Sequence, residues 1–523
     1  MTIKEFTEHH IYVETDDRTG NHLDGVYLKS RRQWRLPFNL GALRDLHLAG
    51  YDVKAIGENM ATIYRTINSM KSRPFKHEIG GRLREYQQQD LNFLLNQKYA
   101  GVFNEQRTGK TPMACRLLQH INKKAIIICP ASLILNWRDE LKEWTHLAPI
   151  AYIGTKTQRY KLAKKFEDTE RAVLIMSVGT LRNDINMMIG LGAHTVVVDE
   201  AHFLRNRKSK QTEAVYSLGR TVERRYALTG TPATKHPSDV FGILHFLDHE
   251  KWNSYWQFAE RYFTVSTSFY NPNAKELKGF KSELRKKEYE ELLNVISVQR
   301  KRKDVMQWLP PKQYQTIKLK MEKEQKKAYD DMRTMFESEE LGIDASTVLS
   351  QMLRLRQITS ASEVFGATGA KAKFLHEYID NNPGQQTLVF SNFSAGLRAI
   401  SSSFKSSALI TGRESKEERR EATRDFQNGK IQILFCNIIA AGTGLTLDRA
   451  DAVIFLDRHY NPSENEQAED RIVATTEGSN LNALVIDLVC EGTIDEKVLE
   501  IVKEKKSVTE VANNYKNLKE WLG

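Results

Sequence analysis

The sequence predicts an α/β chain with two parallel-sheet lobes separated by a helical stretch. Three observations carry that prediction. Short apolar runs recur at Ala125–Cys129, Ala172–Met176 and Thr195–Val198, with helix-period segments between them. The same rhythm restarts at Thr387–Phe390, Ile431–Phe435, Ala452–Leu456 and Ala483–Leu488. Between the two blocks, residues 240–371 are charged, aromatic and mostly helical in period. Buried parallel strands are apolar on both faces and need crossover helices, which gives this alternation.

Each element follows in chain order. Residues 1–75 hold short alternating runs at His10–Glu14 and Gly25–Lys29, then a helical pattern at Leu40–Leu48, and read as a small α+β module. The stretch Arg31-Arg32-Gln33-Trp34-Arg35-Leu36-Pro37 mixes cations with one aromatic, a composition that can grip phosphates or stack on bases. The structural alternative is a Trp34 buried against the next domain. A linker carrying Pro and Gly is expected near residues 71–81. The expected divisions are 1–75 (accessory module), 76–240 (first lobe), 241–370 (helical protrusions and linker), 371–508 (second lobe) and 509–523 (tail).

Composition narrows the function classes. The chain has 523 residues, 77 Lys plus Arg against 66 Asp plus Glu, and a net charge of +11. At about 150 residues per domain the length suggests three to four domains. The basic balance favours a polyanionic partner. No apolar run approaches the roughly 18 residues that span a bilayer, and MTIKEFTEHH has no signal-peptide core. The four cysteines form no CxxC pair, which excludes a zinc ribbon or a disulfide scaffold. A soluble intracellular protein is expected. Its size points to the cytoplasm or nucleoid of a bacterium, or to a virus-infected cell.

Two segments carry chemistry. Asn104 to Thr111 reads NEQRTGKT, after the apolar run Gly101–Phe103 and before the helical segment Thr111–His120. A Gly-Lys-Thr at a strand-to-helix junction lets backbone N–H groups face an anion. Lys110 would neutralise β- and γ-phosphates, with Gly109 making the turn and Thr111 offering its hydroxyl to Mg²⁺. The full pattern has Gly at the place of Asn104. Asp199-Glu200-Ala201-His202 ends the 195–198 run. There Asp199 can hold the Mg²⁺ shell, and Glu200 can orient and deprotonate a water. The pair points to ATP with Mg²⁺ as the cofactors.

With these motifs in order, the sequence resembles the superfamily-two helicases and, within them, the Swi/Snf-like DNA translocase ATPases, over residues 80–508. Leu83-Arg84-Glu85-Tyr86-Gln87 is similar to the family's glutamine motif, which implies nucleotide contacts at Arg84 and Gln87, the latter reading adenine. Segments 128–137 and 177–181 resemble DNA-contacting motifs and imply Ser132 and Thr180 as backbone contacts. Phe203-Leu204-Arg205-Asn206, running on to Lys208-Ser209-Lys210, resembles the branch's extension after DEAH and offers Arg205 and Lys208. For each of these cations a solvated surface charge is the alternative. Leu228-Thr229-Gly230-Thr231-Pro232 resembles the motif that couples hydrolysis to lobe movement.

The second half continues the resemblance. Segments 299–305 and 309–312 look like the link into the second lobe, and 353–357 like a helical signature of the branch. Val389-Phe390-Ser391-Asn392-Phe393 implies Asn392 as a DNA contact. Ala441-Gly442-Thr443-Gly444-Leu445 implies Thr443 toward DNA and Gly444 toward nucleotide. Gln467-Ala468-Glu469-Asp470-Arg471 implies Gln467 and Arg471 at the nucleotide, Arg471 stabilising the transition-state charge. The resemblance implies two RecA-like lobes with helical protrusions between them, binding ATP–Mg²⁺ and tracking along double-stranded DNA. The N-terminal module resembles the small domain ahead of the motor in annealing helicases, which implies forked or branched DNA.

Two departures matter. The family's last motif carries a second arginine where this chain has Ala474, and its phosphate loop has Gly where this chain has Arg107. Arg107 either replaces part of the missing charge or serves only locally. Two further readings stay open: a strand-separating or fork-remodelling helicase, and an ATP-gated DNA clamp with little turnover.

Overall fold

The computed structural model describes residues 2–7, 10–15, 25–72, 83–233, 236–267, 275–307, 312–335, 337–338, 343–344, 348–441, 447, 449–472 and 484–503. The chain forms two compact units, Met1–Val305 and Met306–Gly523.

The first unit opens with strands β1 (Thr2–Phe6), β2 (His10–Glu14), β3 (Val26–Leu28) and β4 (Gln33–Pro37). They form an antiparallel sheet in the order β1-β2-β4-β3. Period-two alternation sends Ile11, Val13, Trp34 and Leu36 to one face. Helices Leu40–Leu48 and Lys54–Ser72 cover that face with Ala42, Leu46, Ile56 and Met60. Trp34 is 5% exposed, so it fills this small core. It is neither free to stack on a base nor buried against the next domain.

The larger sheet contains β5 (Tyr99–Val102), β6 (Ala125–Cys129), β7 (Ala148–Ala151), β8 (Ala172–Ser177), β9 (Thr195–Asp199) and β10 (Arg224–Leu228). A hairpin, β11 (Phe263–Thr267) with β12 (Lys275–Phe280), and helix Glu283–Ile296 lead to β13 (Ser297–Val298), which returns to the sheet edge. The strand order is β13-β5-β10-β9-β6-β8-β7, all parallel. Alternate side chains of each central strand enter two cores. Ile126, Ile128, Leu174, Met176, Val196 and Val198 pack on one face; Ile127, Val173, Ile175 and Val197 pack on the other. Each such buried side chain is worth about 1.5–3 kcal/mol relative to exposure.

The second unit repeats the plan with β14 (Gln313–Leu319), a short ribbon of β15 (Glu337–Ser338) and β16 (Ile343–Asp344), then β17 (Thr387–Ser391), β18 (Ser407–Ile410), β19 (Ile433–Asn437), β20 (Ala452–Phe455) and β21 (Leu484–Cys490). Its main sheet runs β14-β21-β20-β17-β19-β18, parallel throughout. The expected two-lobed α/β class is therefore what the chain folds into. The stretch between the lobes is less purely helical than its charge suggests, since it contributes the hairpin and edge strands β13 and β14. All four cysteines are buried and form no disulfide. No helix among the described residues is long and apolar enough to cross a membrane.

Candidate functional site

In a parallel sheet every strand delivers its following loop to one edge, where open α/β folds bind their ligands. That edge of the first unit gathers the loops after β5 (Asn104–Gly109), β10 (Thr229–Pro232), β9 (Glu200–Arg205), β6 (Pro130–Leu133) and β8 with its helix (Ser177–Leu181). Five segments far apart in sequence thus become neighbours.

The loop after β5 is held from within. Gly109 has φ +77° and caps helix Lys110–Ile121. A Cβ there would also collide with Gln87 Nε2. Gln87 Nε2 donates to the carbonyls of Thr108 (3.1 Å) and Gly109 (3.3 Å), and Tyr86 Oη donates to Thr108 at 2.8 Å. The Gln87 oxygen accepts the Arg84 N–H at 2.8 Å. Both ends of the amide expected to read adenine are thus engaged with the protein. The Lys110 ammonium donates to the carbonyls of Asn104 (2.9 Å) and Glu105 (3.1 Å). Arg107 has φ +65°, the left-handed backbone that glycine adopts without strain. The glycine that the family pattern has there fits this conformation.

Asn104 explains itself by burial. It is 1% exposed, and its amide donates to Asp90 Oδ2 at 2.8 Å. Asp90 has no exposure and also accepts from Arg300 Nε (2.9 Å) and Nη2 (2.8 Å). Burial raises the Asp90 pKa, while Arg300 and Asn104 oppose that shift. Glu105 N donates to the Arg300 carbonyl at 2.9 Å, and the Glu105 carboxylate accepts the Arg302 N–H at 2.7 Å. The segment running to the end of the first unit is therefore laced along the loop.

Asp199 ends β9 and is buried. Its carboxylate accepts the Trp137 indole N–H and the Glu200 backbone N–H, both at 2.9 Å. Burial pushes its pKa up, the adjacent Glu200 adds to this, and Trp137 and Lys110 pull it back. Glu200 turns the chain with φ +50°. Its Oε2 lies 3.3 Å from His202 Nδ1, which in turn lies 3.3 Å from Thr229 Oγ1. The segments after β9 and β10 are joined by this contact. Asp199 and Glu200 are adjacent carboxylates, and carboxylate and hydroxyl oxygens are the hard donors that suit Mg²⁺. No cluster of three or more His, Cys, Asp or Glu side chains suited to a metal occurs among the described residues.

The remaining expected residues are distributed as follows. Ser132 is exposed, and Thr180 is half-buried with its N–H and hydroxyl on Ser177 Oγ (3.1 and 2.9 Å). Arg205 is half-buried and Lys208 exposed. In the second unit Asn392 is tied inward, its N–H and amide both on Asp457 Oδ1 (3.1 and 2.5 Å). Gln467 is 6% exposed, and the Arg471 carbonyl accepts the Leu447 N–H. Thr443, Gly444 and Ala474 lie outside the described residues. Asp90 joins the site without having been expected there, while Trp137, His202 and Arg300 fall in segments 128–137, 199–202 and 299–305, where the sequence assigns no role to their side chains. Only their contacts disclose these roles.

Comparison with known proteins gives the family. The family described as SNF2-related domain matches residues 42–364, and the helicase conserved C-terminal domain matches residues 370–474. An uncharacterized ATP-dependent helicase of Mycoplasma pneumoniae is 25% identical over 488 residues, covering 86% of this chain and 44% of its own length. The DNA annealing helicase and endonuclease ZRANB3 of Mus musculus is 25% identical, covering 78% of this chain and 38% of its own. The chain thus spans less than half the length of these relatives. The Sulfolobus solfataricus SWI2/SNF2 ATPase core in complex with dsDNA has a TM-score of 0.40 and 22% identity, covering 83% of this chain and 92% of that one. With one family covering more than half of its residues and the C-terminal helicase domain following directly, the chain belongs to the SNF2-related helicase family.

Proposed function

We propose that this chain is an ATP-driven motor that moves along double-stranded DNA. The observation that supports this best is the joint placement of Lys110 and the Asp199–Glu200 pair at one sheet edge, close enough for the Lys110 charge to act on Asp199. Lys110 would leave the Asn104 and Glu105 carbonyls for β- and γ-phosphates, which offer it a full negative charge. Gln87 and Arg84 sit where the loop meets its supporting helix and would transmit nucleotide contact to that loop. Glu200 would orient the attacking water and take its proton. The contact of Glu200 with His202, and of His202 with Thr229, gives the proton acceptor a mechanical connection to the next strand. Thr111 and Asp199 would hold Mg²⁺, which when bound with the nucleotide withdraws charge from the γ-phosphate. Arg471 would supply the cation for transition-state charge. Ser132, Thr180, Arg205 and Lys208, with Asn392 and Thr443 in the second unit, would contact DNA phosphates, which carry no sequence.

A second reading, action on forked or branched DNA, is favoured by the likeness to an annealing helicase. One experiment tests both. ATP hydrolysis is measured without DNA and with single strands, blunt duplex and a model fork, with Glu200→Gln as the blank. Stimulation by blunt duplex is expected. Fork stimulation well above duplex would favour remodelling. No stimulation by any DNA, with ATP still altering DNA affinity, would favour a clamp and overturn the motor.

A further inference from the structure

The N-terminal sheet has a second face. The strand pairing sets His10 opposite Pro37, and Arg35 opposite both Tyr12 and Val26. These residues alternate with the Ile11, Trp34 and Leu36 of the core, so they face away from it. The segment 251–262 of the same unit lies against that second face and leaves a cavity of about 50 Å³ between them. A water needs only about 10–15 Å³ on this measure, so one tetrahedral oxyanion fits.

The lining is chemically one-sided. Arg35, Lys251, Arg261 and His10 contribute to it, as do Ser254 and Gln257, and among the described residues no Asp or Glu lines it. Arg261 is already neutralised from behind by Glu288 at 2.5 Å. Arg35 and Lys251 make no ion pair among the described residues. Ser254 caps helix Tyr255–Tyr262, so the first-turn N–H groups of that helix open near the same place. Burial pulls the Lys251 pKa down, and Asp248 offsets this only in part. An anion between the two cations would relieve that desolvation. Arg35 and Lys251 are two half-buried cations at a cavity that no described carboxylate lines.

We propose that this cavity binds a phosphate group, held between Arg35 and Lys251, and that the group belongs to a DNA strand crossing the border of the N-terminal module. The assignment of DNA as the source rests on the motor reading; the oxyanion chemistry does not. The site would add one phosphate contact to the DNA interface outside the sheet-edge loops.

The test uses the full chain. Acetylation of Lys251 by an activated ester is followed by mass spectrometry with duplex DNA carrying a single-stranded overhang, with inorganic phosphate, and with chloride at equal ionic strength. DNA binding is followed by anisotropy in the same samples. DNA is expected to slow Lys251 acetylation at least fivefold, and Arg35→Gln is expected to abolish that protection. Lys251→Gln is expected to reduce the slope of log affinity against log salt by about 0.7–0.9, the value of one lost phosphate contact. DNA binding with no protection of Lys251 and an unchanged salt slope overturns the proposal and leaves the motor reading intact. Absence of any DNA binding sinks the motor reading instead. Protection by inorganic phosphate alone keeps the oxyanion site and removes DNA as its source.

Discussion

The amide nitrogen of Gln87 holds the carbonyls of both Thr108 and Gly109, and a methyl group added at Gly109 would strike that nitrogen. The glutamine and the glycine are therefore one device. The glycine allows the left-handed turn, and the glutamine locks it from the preceding helix. Gly109→Ala meets two obstacles, the collision and the positive φ. The second costs about 1–2 kcal/mol for a residue with a Cβ. ATP affinity should fall at least tenfold. Adding Gln87→Ala removes the collision but not the backbone strain, so the double variant should recover only part of the loss. A fluorescent ATP analogue titrated into the wild type and the two variants gives the result. Full recovery in the double variant would mean that backbone conformation is irrelevant here.

Arg107 occupies the other left-handed position of the loop. If its role is only to span that turn, Arg107→Gly should keep ATP turnover and raise thermal stability, by about 1 kcal/mol of relieved strain. If its guanidinium serves the phosphates in place of a second arginine, both Arg107→Gly and Arg107→Ala should lower turnover at saturating ATP at least tenfold. The backbone geometry favours the first outcome. Steady-state hydrolysis together with a melting curve separates the two.

How far the sequence could lead is visible in these same residues. The runs 125–129, 172–176 and 195–198 are strands because every residue in them is apolar or buried in a parallel sheet, and such runs stand out in composition. Strand β10 reads Arg-Arg-Tyr-Ala-Leu and does not stand out. Arg225 is nevertheless buried, because its guanidinium stacks on Tyr99 at 4.0 Å and donates to the Gly219 carbonyl at 3.2 Å. Strands β14 and β18 sit at sheet edges, where partial exposure permits polar residues and weakens the pattern. The contiguous segments of the candidate site were legible as motifs, since Gly, Lys and Thr stand side by side in the sequence. Its supports were not. Asp90, Asn104 and Arg300 are brought together only by the fold, with more than two hundred residues between the first and the last.

Trp137 offers a direct test of one such support. Its indole N–H is the side-chain donor to the buried Asp199 carboxylate. Trp137→Phe keeps an aromatic ring in the core and removes that donor. A hydrogen bond to a charged group is worth about 1.5–3 kcal/mol. The Asp199 pKa should rise further, because Trp137 is among the groups that hold it down. Turnover should then fall and shift its acid limb to higher pH. The melting temperature should fall by a few degrees, the size of that lost bond. A uniform loss at every pH would assign Trp137 to packing alone.

The N-terminal module is built into the first unit, which changes how its role can be tested. Asp45 pairs with Arg285 at 3.0 Å, Arg285 with Glu288 at 2.7 Å, and Asn39 accepts from Arg261 at 3.2 Å. A Cβ at Gly41 would collide with Glu288 and Arg261, so the helix that starts there lies against the second element directly. Lys71 reaches back to the carbonyls of Asn294 and Ser297, at the end of helix Glu283–Ile296, and its pKa is lowered to about 8 by burial. Deleting residues 1–72 removes Asp45 and Asn39 from Arg285 and Arg261 and uncovers Glu288, on which Gly41 packs. The truncated chain should therefore lose stability and nucleotide binding together, since Ser297 and Val298 lead directly to the Arg300 that holds the phosphate loop. A loss of activity on deletion would say nothing about DNA recognition. Arg35→Gln and Lys251→Gln lie outside that ion cluster and outside the small core. They should leave the melting temperature within about 1 °C, a shift of a few tenths of a kcal/mol, and any change in DNA preference they cause can be attributed to the module's outer face.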